Sequence, residues 1–80
     1  MNTDAYTTAY WNAHTDSANP AKWRAVYQEA KALAQAATNT DDAARWSDTA
    51  HAANVHYRIA RVLGMDPLSD AGREEVAARI

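Results

Sequence analysis

The chain has 80 residues, read as a single helical domain spanning 1–80 and too short for the enclosed pocket that most enzymes need. Hydrophobic residues make up 48% of it, but 20 of the 80 residues are Ala, so the core is expected to be thin and to rely on close helix packing or a partner subunit. A net charge of −2, from eight Lys and Arg against ten Asp and Glu, is too balanced for a broad phosphate-binding surface and argues against nucleic acid as the partner.

Two Gly and two Pro leave too little turn chemistry for a β-sandwich or a Gly-rich nucleotide cradle, which makes helix the default. The absence of Cys removes disulfides and thiolate metal sites. The N-terminal stretch has no basic segment followed by an apolar one, and no apolar run is long enough to span a bilayer. Met1 to Ile80 therefore reads as a whole gene product, cytoplasmic and without a membrane partner.

The expected fold is all-α: an antiparallel bundle of three helices (about 4–17, 20–37 and 41–63) with a short fourth C-terminal helix (about 69–80). The first helix is capped by Thr3 or Asp4, with Tyr6, Tyr10, Ala13 and Ser17 along one face and Trp11, His14 and Ala18 on an adjoining one. Asn19-Pro20 starts the second helix, because an N-cap side chain precedes the residue whose φ is already set for the first turn. Trp23, Val26, Tyr27, Ala30, Leu33, Ala34 and Ala37 recur there at helical spacing, opposite a solvated stripe of Arg24, Gln28, Lys31 and Gln35.

Thr38-Asn39-Thr40 separates the second helix from the third, whose first turn carries Asp41 and Asp42 and whose end carries Arg58 and Arg61, an order that complements the helix dipole. Gly64 stops it. Trp46, Ala50, Ala53, Tyr57 and Ala60 fall on one side of this helix and Val55, Ile59 and Val62 on the other. A helix apolar on both sides needs two neighbours, and either the tail or a second copy of the chain must cover the Val/Ile side. The tail offers two helix starts, Asp66-Pro67 and Ser69, before a stripe containing Val76, Ala77 and Ile80.

The chemistry is sparse. Asp48 and His51 share a helix face at i, i+3, but His51 and His56 diverge by about 140° and no third ligand is evident, so the histidines read as surface or boundary residues rather than a metal centre. Ser17, Ser47 and Ser69 lack a nucleophile context, and Asp41-Asp42 and Glu74-Glu75 are ordinary helix-start and solvent-face pairs. Neither a catalytic residue nor a cofactor is expected. A helix-turn-helix reading would make Arg73 and Arg79 the base readers, but Asp66, Asp70, Glu74 and Glu75 crowd the same element with negative charge.

What remains is aromatic. Trp23, Tyr27, Trp46 and Tyr57 are assigned to the interior, whereas Tyr10, Trp11 and His14 form either a binding patch or a lid over the bundle edge. Arg24 and Lys31 offer a second surface, since residues 21–40 sum to +2. The expected function is that of a small non-enzymatic protein-interaction protein using Tyr10, Trp11, His14, Arg24 and Lys31, of the kind found among phage or mobile-element inhibitors that occlude a host complex. Homodimerisation through a Val55, Ile59 and Val62 seam is expected with it. The alternatives are a dimeric DNA-binding regulator and a metal-binding helical bundle.

Overall fold

A computed structural model describes residues 2–80 as α1 (Asp4–Thr15), α2 (Pro20–Ala36), α3 (Thr40–Val62) and α4 (Asp70–Arg79), with no strand among the described residues. The all-α class and the order of the helices agree with the sequence pattern. None of these helices is long and apolar enough to cross a membrane.

Local side-chain bonds account for most of the boundaries. Asn19 Oδ1 accepts from the Ala21 N–H at 3.0 Å with Pro20 in the first turn, so α2 starts where the Asn-Pro pair directs it. Asn39 Oδ1 accepts from the Asp42 N–H at 2.8 Å, and Asp42 Oδ2 accepts in return from Asn39 Nδ2 at 3.0 Å, which makes Asn39 the cap of α3. Arg45 completes that corner by an ion pair to Asp42. Gly64 takes φ +61°, a conformation costly for any residue with a Cβ, and ends α3.

Two expectations are corrected at the termini. Neither Thr3 nor Asp4 caps α1 through its side chain; Asn2 Oδ1 accepts from the Asp4 N–H at 2.9 Å instead. Of the two starts offered by the tail, Ser69 is used: its Oγ accepts from the Gly72 N–H at 3.0 Å while donating to the Asp66 carbonyl at 2.6 Å. Pro67, the alternative first-turn residue, is buried in the turn that precedes the helix.

α2 and α3 form the central antiparallel hairpin; α1 packs on α2, and α4 packs on α3. Six of the eleven buried hydrophobic residues are Ala (Ala9, Ala13, Ala30, Ala50, Ala53 and Ala60), joined by Trp23, Val26, Leu33, Val55 and Ile59. Small side chains let the helix backbones approach closely, which is how so Ala-rich a chain builds an interior. Both sides of α3 carry buried residues, as its two-sided pattern requires: Ala50, Ala53 and Ala60 on one, Val55 and Ile59 on the other.

The α4 contact depends on Gly72. A Cβ placed there would overlap the Asp66 carbonyl oxygen and lie 2.7 Å from Pro67 Cα, so the helix seats on the turn only because position 72 has no side chain.

Candidate binding surface

α1 sets Tyr6, Tyr10 and His14 one above another at i, i+4 and i+8, while Ala9 and Ala13 turn inward toward α2. No Cα of α1 comes within 8 Å of one in α3 among the described residues, so rings bridge the two helices. Tyr6 meets Trp46 of α3 edge-on at 4.9 Å between centroids, and Tyr10 lies 4.1 Å from His14. His14 in turn lies 5.4 Å from Trp23 of α2, and Trp23 lies 4.5 Å from His56 of α3. The rings form one connected run that leaves α3 at Trp46, passes along α1, crosses α2 at Trp23 and returns to α3 at His56.

Between α1 and α3 this run borders a cleft of about 200 Å³, with Trp23, Val26 and Ala53 in its floor and Tyr10, His14 and His56 in its walls. Trp23 is buried and its indole N–H donates to the Ser17 carbonyl at 2.8 Å, so the polar atom of the floor is satisfied and the α1–α2 turn is tied down. His14 Nδ1 lies 2.8 Å from the Tyr10 carbonyl and His56 Nδ1 lies 2.7 Å from the Ala52 carbonyl. A carbonyl can only accept, so each Nδ1 carries the hydrogen of its bond. Burial, and then the neighbouring Tyr10, push the Tyr6 phenol above its ordinary pKa.

No acid lines the cleft, and no group of three metal-ligating side chains exists among the described residues. His14 and His56 meet Trp23 from two different helices, an arrangement that the within-helix spacing of histidines could not reveal. Asp48 and His51, the pair considered for a metal, are both exposed, and His51 lines a different groove with Tyr27 and Lys31.

Trp11 stands apart from the run. Its indole is 60% exposed although it contacts Tyr10 edge-on at 5.3 Å and lies 6.1 Å from His14. Tyr10, Trp11 and His14 therefore form one patch, with the first and last half-buried. Arg24 and Lys31 are exposed, as the solvated stripe of α2 predicts, but they line grooves of the α2–α3 seam and do not join that patch.

Three assignments to the interior need correction. Tyr27, Trp46 and Tyr57 are half-buried, and only Trp23 of the four is buried; the small Ala side chains bring α2 and α3 too close for large rings to fit fully between them. The seam of Val55, Ile59 and Val62 is divided: Val55 and Ile59 are buried within the chain, and Val62 is 74% exposed. Arg79, one of the two base readers considered, is held by an ion pair to Glu75.

Comparison with protein-family models, curated proteins and solved structures finds no match to this chain.

Proposed function

We propose that this chain is a non-enzymatic protein-interaction module whose contact is centred on Trp11. The observation that supports this reading is an indole left 60% exposed while Tyr10 and His14 bound it from one side. An exposed Trp with restricted neighbours presents a large apolar body at small ordering cost, and such residues dominate the energetics of protein interfaces. The finer role is that of an accessory or inhibitor protein that occludes part of a larger complex. No catalytic step enters this reading.

The test is quantitative capture from the native host lysate on immobilised protein, comparing the wild type with Trp11→Ala. One partner whose capture saturates and falls by at least about tenfold with Trp11→Ala is the expected result, since a central interface aromatic contributes about 2 kcal/mol or more. Equal capture by both proteins would remove Trp11 from the contact. Tyr10→Phe keeps the ring and serves as the control for local geometry.

A further inference from the structure

On the α2–α3 seam, away from the aromatic patch, a groove of about 280 Å³ is lined by Pro20, Ala21, Arg24, Tyr57 and Arg61. Arg61 Nη1 donates to the Tyr57 hydroxyl at 2.6 Å, and its guanidinium lies 5.9 Å from the centroid of the same ring. Arg24 lines the same groove from the opposing helix. Neither arginine has an acidic partner: among the described residues the side-chain ion pairs are Arg45–Asp42 and Arg79–Glu75. The groove contains no carboxylate, and the first turn of α2, which forms one end of it, contains none either.

The side chains of the groove are rich in donors. A guanidinium has five N–H donors and no acceptor, and Arg61 uses one of them on Tyr57. The Tyr57 oxygen accepts that bond, which leaves its own O–H to donate. Arg24 adds a second fork from the other wall. The groove thus offers two cationic forks and a hydroxyl donor with no acidic acceptor, in a chain whose net charge is −2. The Ala21 N–H is already used by Asn19, so the N-terminus of α2 contributes its positive field and not a donor.

We propose that Arg24, Tyr57 and Arg61 form a binding site for a single phosphate group, with each guanidinium contacting phosphate oxygens and the Tyr57 hydroxyl donating a third bond. Planar guanidinium forks match phosphate geometry, and two positive charges balance a phosphate dianion where one carboxylate would leave an excess. A single compact site lacks the row of cations that tracks a nucleic-acid backbone, so the ligand is a free phosphate or a phosphorylated side chain of a partner. The Tyr57 phenol, held below its ordinary pKa chiefly by the Arg61 hydrogen bond, reports directly on this field. The site is independent of Trp11.

The experiment is a titration of the full chain with inorganic phosphate at constant ionic strength, followed by the NMR signals of the arginine side chains and the Tyr57 ring. Saturable shifts at Arg24, Arg61 and Tyr57, weakened about tenfold in Arg24→Gln and in Arg61→Gln and unchanged in Trp11→Ala, are expected, the loss of one charge-assisted contact corresponding to about a decade in affinity. If a Gln variant fails to fold, Arg24→Lys and Arg61→Lys keep the charge, lose the fork and must still weaken binding. A phosphoserine peptide binding more tightly than inorganic phosphate assigns the group to a protein partner; equal affinity assigns it to free phosphate. A linear, non-saturating response, or the same affinity in both arginine variants as in the wild type, overturns the site.

Discussion

α1 and α4 both dock on the α2–α3 hairpin, and they do so by opposite means. α1 is attached through Ala9 and Ala13 against α2 and through rings that reach across to α3, ending in the Trp46–Tyr6 and Trp23–His56 contacts. α4 packs on α3 and is seated through Gly72 on the turn that joins the two helices, at a position where the backbone of that turn occupies the space of a side chain. The first attachment adds to its two alanines a set of large rings that can be trimmed one at a time; the second is an absence that any substitution fills. Tolerance to mutation should therefore differ sharply between the two ends of the chain.

The largest expected effect is at the crossing point of the ring run. Trp23→Ala removes the cleft floor and the bond to Ser17, and should cost about 3–5 kcal/mol, measured as a fall in the urea midpoint. Gly72→Ala adds one carbon and should cost about 1–3 kcal/mol by overpacking, with hydrogen exchange showing loss of protection in residues 70–79 while α1 stays protected. If α1 loosens as much as α4 in that variant, the two attachments are not separable. Ser69→Ala removes the cap of α4 and should cost about 1 kcal/mol, again confined to the C-terminal helix.

Tyrosine ionisation compares the docked face of α1 with the α2–α3 seam. Tyr6, raised in the fold, adds stability that is fully present below pH 10 and is lost as the pH climbs through its folded pKa. Tyr57, lowered in the fold, does the reverse: its contribution is present above pH 10 and is lost as the pH falls through its folded pKa. An ultraviolet titration should lose its earliest phenolate component in Tyr57→Phe and its latest in Tyr6→Phe. The smallest effect on stability belongs to Trp11→Ala, within about 0.5 kcal/mol by thermal unfolding, because the indole is mostly in water already.

Helix existence was legible because it rests on local chemistry. Asn19-Pro20 and Gly64 act within a single turn, and the three- and four-residue spacing along α2 separates Trp23 and Val26 from Arg24 and Lys31 without any tertiary knowledge. The corrections arise where distant segments meet. Gly72 is unremarkable until the Asp66–Pro67 turn folds over it, and a helical wheel cannot say that His14 and His56 reach the same indole. Whole-chain charge was equally blind to Arg24 and Arg61, which are far apart in sequence and line one groove with Tyr57 only because α2 and α3 run antiparallel. Trp11, by contrast, lies on a face of α1 adjoining that of Tyr6 and Tyr10, and there it is 60% exposed.

An interior built so largely of alanine has a consequence for how such a chain can change over generations. Alanine orders no rotamers when it is buried, so the fold is reached with little loss of side-chain freedom. The same economy leaves few interior directions for drift: only glycine is smaller, and a larger residue at Ala13, Ala30 or Ala53 must push two helices apart. Innovation is thereby channelled to the outside of the bundle, where positions such as Trp11, Arg24 and Lys31 can be exchanged without disturbing the frame beneath them.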